Sequence, residues 1–212
     1  GGNLIYDNKK TNISLYAYHQ SGMLPTHQSV NAYYINPEFS LKVSDITLTL
    51  GNEFISGRYN DTIYKESKVF NLLYGSGHDF LGYLDYFTPS NLSNQTLYCG
   101  MNTSYFKYKH DINDKLNYSL HYYYFNTKAA IYDNIRQKDR DKYLGSEMDF
   151  VISYNYSDEV NIMFGYSAIF ANNTLSYIHN TTKDFGHFCY FTFTVKPNFF
   201  NQTTSLPSLN KE

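Results

Sequence analysis

The sequence predicts an all-β chain, an antiparallel up-and-down transmembrane β-barrel. Two observations carry this: segments that alternate apolar and polar residues, and a rhythm of short and long connections between them. Four connections are tight and polar: Asp7-Asn8-Lys9-Lys10, Ser44-Asp45, Asp111-Ile112-Asn113-Asp114 and Ser157-Asp158. Longer linkers fall at 20–29, 58–96, 127–142 and 172–185. Bacterial outer-membrane barrels share this asymmetry, with short periplasmic turns and long outer loops.

With the short turns taken as periplasmic, strands run down at 3–6, up at 12–19, down at 30–43 and up at 46–57. They continue down at 97–110, up at 115–126, down at 144–156, up at 160–171 and down at 186–197. Period two justifies them. Phe39, Leu41 and Val43 oppose Ser40 and Lys42; Ile46, Leu48 and Leu50 oppose Thr47 and Thr49. Leu116, Tyr118, Leu120, Tyr122 and Tyr124 oppose Asn117, Ser119, His121 and Tyr123. Met148, Phe150, Ile152, Tyr154 and Tyr156 oppose Glu147, Asp149, Val151, Ser153 and Asn155. Val160, Ile162, Phe164, Tyr166 and Ala168 oppose Asn161, Met163, Gly165 and Ser167, and Phe191, Phe193 and Val195 oppose Thr192, Thr194 and Lys196. Runs of roughly nine to twelve residues match what a tilted strand needs to cross hydrocarbon.

Taken alone, each strand also fits a half-buried strand of a soluble sandwich. Two features argue for the barrel. The polar faces carry Glu147, Asp149, His121 and Lys196, which a dry core would reject. Tyr16, Tyr18, Tyr122, Tyr154, Tyr156 and Tyr166 lie near strand ends, as an interfacial girdle requires.

Strand direction sharpens the expectation. Residues 58–96 must hold an even number of crossings, so Phe80–Phe87 is no lone spanning strand. This stretch is expected as a long extracellular loop with its own hairpin, or as an inward-folded plug. Nine strands place Gly1 on the outer side, whereas single-chain barrels have even counts and periplasmic termini. At least one further upward strand is therefore expected before Gly1. Open sheet edges cannot face lipid, so residues 1–200 are expected to be one segment of a larger barrel. A partner chain or further sequence would close it, and residues 201–212 form a polar C-terminal tail. The chain opens without an initiator Met or a signal-peptide pattern, which suggests a processed or truncated end.

Composition agrees. Tyr (24) and Phe (16) supply all aromatic content, with no Trp. Mean hydropathy is −0.50. No stretch approaches the roughly 18 apolar residues of a spanning helix, but barrel strands escape that test. A net charge of −2 argues against nucleic acid as a partner. Cys99 and Cys189 fall inside predicted strands without zinc-type spacing; they are either a disulfide or two separate thiols. Sequons at Asn12, Asn102, Asn117 and Asn155 lie inside strands and reflect an Asn-rich composition.

Several stretches resemble the C-terminal half of alginate-export-type outer-membrane β-barrels of Bacteroidetes-group bacteria. They are Ala32-Tyr33-Tyr34 with Glu38-Phe39-Ser40-Leu41-Lys42, Leu48–Gly57, Leu73–Phe87, Leu144–Phe150 and Gly165–Ala171. The resemblance covers most of residues 30–197 and implies a whole barrel of about eighteen strands with an N-terminal half. The chain departs from it at Phe185-Gly186-His187-Phe188, where such barrels usually carry Trp, and in its polar tail. Fold similarity does not transfer cargo.

Little chemistry is indicated. Gly75-Ser76-Gly77-His78-Asp79 lacks the Lys-Ser/Thr of a P-loop, and no nucleophile elbow supports Ser76 with His78. The His residues are scattered, so neither an enzyme, a metal nor a cofactor is expected. The lumen-lining candidates are Glu147, Asp149, His121, Ser153, Thr47, Thr49 and Lys196. Glu147 and Asp149, about 7 Å apart along one strand, either repel anions, pair with a basic residue across the pore, or belong to a structural ion-pair ladder in the wall. The mouth candidates Arg136, Lys138, Arg140 and Lys142 share a loop with Lys128, Asp133, Asp139 and Asp141. That loop either attracts anionic solutes and lipopolysaccharide phosphates or is simply solvated.

The expected function is an outer-membrane channel for passive passage of small hydrophilic or anionic solutes. The alternative is a plugged structural or accessory barrel within a secretion or uptake assembly. The expected partners are outer-membrane lipid, the solute, and a barrel-completing chain or the subunits of a larger membrane complex.

Overall fold

The computed structural model describes residues 1–58, 66–71, 81–87 and 99–197. The fold is an antiparallel meander of long strands. In chain order these are β1 (Gly2–Asp7), β2 (Thr11–Met23), β3 (Ser29–Val43), β4 (Ile46–Ile55), β5 (Glu66–Ser67) and β6 (Met101–Asp111). Then come β7 (Leu116–Thr127), β8 (Tyr132–Asp133), β9 (Lys138–Asp139), β10 (Tyr143–Ser157) and β11 (Val160–Ala171). A short helix α1 (Asn173–Ile178) precedes β12 (Phe185–Val195). One sheet takes the order β1-β2-β3-β4-β6-β7-β10-β11-β12, with β5 added in parallel beside the start of β3. Among the described residues no pairing joins β1 to β12, so the sheet is open.

The tight connections are built by the residue types that marked them. Asn8 Oδ1 accepts from the N–H groups of Lys10 and Thr11, and Asn113 Oδ1 accepts from those of Lys115 and Leu116. The same side-chain mimicry of a backbone turn thus closes two hairpins. Ser157 Oγ accepts from Glu159 N, and Ser44 sits at a φ of 54° in its two-residue turn.

The long connections are more structured than the sequence indicated. The linker at 20–29 contracts to 24–28, because β2 and β3 continue to Met23 and from Ser29. The 127–142 linker contains the β8–β9 hairpin, and 172–185 contains α1, whose N-cap Asn172 accepts from Asn173 N. The Gly75–Asp79 loop and the 201–212 tail lie outside the described residues.

Register assigns every strand residue to a face. One row reads Tyr6, Ile13, Phe39, Leu50, Phe106, Tyr122, Met148 and Ala168, across eight strands. Another reads Leu41, Leu48, Tyr108, Leu120, Phe150 and Tyr166. This apolar face is open: Leu50 is 58% exposed and Phe191 68%. Tyr16 and Tyr18 do not belong to it. They pair with Asn36 and Tyr34 on the opposite face, so their place in an apolar girdle is corrected. The cause is parity: Ile13 and Leu15 take the apolar side of β2, which turns 14, 16 and 18 away.

The polar face is covered over its long-loop half by residues 66–71 and 81–87. Ala32, Ile55, Phe70, Leu81, Phe87, Met101, Tyr123, Phe125, Leu144, Ile169 and Leu175 form one buried cluster there. The Phe87 and Phe125 rings lie 4.4 Å apart. Both cysteines are free thiols: Cys99 is buried two residues before β6 rather than inside a strand, and Cys189 is exposed in β12.

Gly51 leaves space for the Tyr105 ring; a Cβ there would lie 2.1 Å from Tyr105 Cζ. Gly51→Val should therefore displace Tyr105 and cost about 1–3 kcal/mol of stability in a denaturant titration. Combined with Tyr105→Ala it should cost clearly less than the two single changes summed, because the collision is gone.

Candidate functional site

Three register rows of the polar face meet where the covering segment ends. The first holds Glu38, Gly51, Tyr105, Tyr123, Glu147 and Ile169. The second holds Ser40, Thr49, Lys107, His121, Asp149 and Ser167. The third holds Lys42, Thr47, Lys109, Ser119, Val151 and Gly165. Burial falls from the first row to the third: Glu147 is 0% exposed and Asp149 1%, whereas Lys42 and Lys109 are exposed.

Glu147 is the anchor of the covering segment. Its Oε1 accepts from the backbone N–H groups of Tyr83 at 2.6 Å and Leu84 at 2.9 Å. Gly82, at a φ of +92°, lies against the same carboxylate; a Cβ would sit 2.6 Å from Oε1. A residue without Cβ is required both by that backbone conformation and by that approach. Tyr83 then turns its ring edge toward His121, 5.4 Å between centroids. At the far end of the cover, Gln20 clasps Asn71, donating to its carbonyl at 2.6 Å and accepting from its N–H at 2.8 Å. A buried carboxyl group tolerates such a place only when it is hydrogen-bonded.

Two further carboxylates of this face are held by phenols. Tyr105 Oη donates to Glu38 at 2.8 Å and accepts from Asn36 Nδ2, while Tyr34 Oη donates to Glu53 at 3.0 Å.

The sequence candidates separate into three groups. Glu147, Asp149, His121, Thr47, Thr49 and Ser153 all lie on the polar face. Of these, Glu147 and Asp149 are buried under the cover rather than open, Thr49 bonds Ser40, and Ser153 accepts from Asn161. Lys196 follows β12 by one residue, at the short-turn rim, where its N–H bonds the Glu159 carbonyl. In the mouth loop, Arg140 is not available to a solute. It pairs with Asp133 at 2.6 Å, donates to the Asn173 carbonyl and lies 3.9 Å over the Tyr177 ring, tying the β8–β9 hairpin to α1. Arg136 stands 3.8 Å from Asp133, and Lys138 and Lys142 are exposed.

Burial pushes Asp133 up, but the Arg136 and Ile135 N–H groups and the Arg140 guanidinium outweigh it, so its carboxyl titrates below the usual range. His179, edge-on to Tyr86, is lowered by burial. Both line the long-loop end, where a cavity of about 430 Å³ opens between α1 and β12 beside His179, Lys183 and His187. Among the described residues no group of three or more His, Cys, Asp or Glu converges.

Sequence reasoning missed Lys42, Lys107, Lys109, Tyr105 and the Tyr83–Leu84 amides. Alternation in 101–111, where Tyr105, Lys107 and Lys109 interleave with Phe106, Tyr108 and His110, carried the signal for three of them. No family model matches this chain, and no curated protein sequence matches it.

Glu147→Leu strands two partly buried N–H groups, each costing up to about 1–3 kcal/mol. Limited proteolysis should then cut within 81–87, where the native protein should resist. Asp133 has a depressed folded value, so its contribution is complete above the ordinary aspartate range near pH ~4. That contribution fades as acid passes through the lower folded value. Protection of the Ile135 and Arg136 amides against exchange should fall in that acid window, and in Asp133→Ala it should be lost at every pH.

Proposed function

We propose that this chain is a length of the wall of an outer-membrane β-barrel, a channel for passive passage of small hydrophilic solutes. The single observation that carries this is the two-sidedness of the sheet. Contiguous exposed apolar patches above roughly a few hundred Å² are rare on soluble monomers, and here one apolar register row runs across eight strands and another across six. Leu116 to Tyr124 cover about 26 Å along the strand at about 3.3 Å per residue, and about nine residues is the length at which a tilted strand begins to span hydrocarbon. Aromatic groups border that stretch at both ends. Tyr108, His110 and Tyr118 pack together near the short turns, and Tyr124 stacks on Tyr143 at 4.6 Å near the long loops. No helix among the described residues is long and apolar enough to cross a membrane, and strands need none.

In a bilayer the free edges of β1 and β12 require partners. With nine strands alternating in direction, β1 and β12 run the same way, so an odd number of further strands closes the ring antiparallel. The resemblance of residues 30–197 to alginate-export-type barrels implies about eighteen strands, which would supply such a number. Lipid, the solute and a barrel-completing segment or chain are then the partners. The inward-folded 81–87 segment narrows the long-loop end.

A second reading keeps the barrel and closes it. The dry Phe87–Phe125 contact and the Glu147 anchor favour a filled lumen, and hence an accessory subunit of a larger membrane assembly.

Planar-bilayer recording on detergent-purified protein separates the two. The channel requires steady ionic steps, enlarged in Glu147→Leu as the cover loosens. Silence from inserted protein favours the filled barrel, and a monomer that stays soluble without detergent overturns both.

A further inference from the structure

Resting on the channel reading, we propose that the uncovered half of the polar face is an anion-binding shelf that makes the passage prefer small anions to cations. Lys42 on β3 faces Thr47 on β4, which faces Lys109 on β6; one row up, Ser40 faces Thr49, which faces Lys107. Neighbouring strands are about 4.8 Å apart and alternate residues about 7 Å along a strand. Three ammonium stems and three hydroxyls therefore share a patch about 10 Å wide.

Apart from Asp7, which the register places in the Ser40 row on β1, and Asp111, the acids of the same face are engaged away from it. Glu38 and Glu53 accept phenol hydroxyls, Glu147 accepts two amides beneath the cover, and Asp149 is buried beside it. Asp111 offsets Lys109 at 3.0 Å. Lys107 Nζ lies 4.9 Å from the Tyr105 ring centroid and within electrostatic reach of Glu53. The Lys42 ammonium, exposed, has no partner among the described residues. Three lysines against Asp7 and Asp111 leave the uncovered surface one positive charge in surplus, ringed by hydroxyl groups that replace part of an anion's hydration. Charged side chains on a pore wall, focused by the surrounding low dielectric, set the sign of the ion that enters. Sequence reasoning had looked for selectivity at Glu147 and Asp149, which the cover removes from the aqueous path.

The test is the reversal potential in a potassium chloride gradient across a planar bilayer. It uses the full protein, purified in detergent from the membrane in which it is made, with any chains that accompany it. Wild type should pass chloride several-fold more readily than potassium. Lys42→Glu with Lys107→Glu should lower that ratio several-fold or invert it, and Lys42→Gln with Lys107→Gln should fall between. Each variant's ionic steps report its own folding. Steps with a potassium preference in wild type overturn the shelf and leave the channel standing. An unchanged ratio in the glutamate pair overturns the assignment to these lysines. Wild-type protein that inserts without steps overturns the channel and the shelf together.

Discussion

A side chain on a β-strand points to one of two sides, and everything else in this molecule follows from how that choice is filled. Successive residues alternate, so a strand of ordinary composition becomes a ribbon with one apolar and one polar edge. Aligning nine such ribbons in register turns the alternation into two surfaces. A one-residue slip between any pair would exchange the faces of a whole strand. The register is held where slippage would do most damage, by the Asn8, Asn113 and Ser157 turn bonds at the short end.

The two surfaces then differ in what they demand. The apolar side asks only for a surrounding of like polarity. The polar side carries more ionisable groups than open water alone would organise, and they divide by height. Toward the long loops, carboxylates are drawn into hydrogen bonds with phenols and amides, and an aromatic cluster closes over them. Toward the short turns, lysines and hydroxyls stay uncovered. One chain segment, fixed to Glu147 through Tyr83 and Leu84, sets the boundary between these halves. The long-loop end is organised separately, with Asp133, Arg140 and Tyr177 joining a hairpin to a helix.

Most of the strand framework was legible because it depends on local alternation and on turn residues with their own mechanism. Leu116–Tyr124 and Met148–Tyr156 declared their faces directly. The errors came where the decision is not local. Tyr16 and Tyr18 look like girdle residues from composition, yet parity with Ile13 and the pairing with Asn36 and Tyr34 turn them to the polar face. Glu147 reads as a wet lumen charge, and no pattern in β10 announces that amides more than sixty positions earlier will cap it. Arg140 counts as a free mouth charge until Asp133, seven positions before it, is placed beside it. Long-range contacts to irregular segments carry no period, and the candidate site consists largely of such contacts.

The proposal that hydrocarbon lies against one side of the sheet and water against the other is most directly tested by nitroxide labelling. Single labels along β7, from Leu116 to Tyr124, would be examined in lipid for collision with oxygen and with a water-soluble nickel chelate. A membrane wall requires oxygen access at 116, 118, 120, 122 and 124 and chelate access at 117 and 119, alternating at every step. Uniform chelate access along the strand, or shielding of Leu120 and Tyr122 from both reagents, would contradict it.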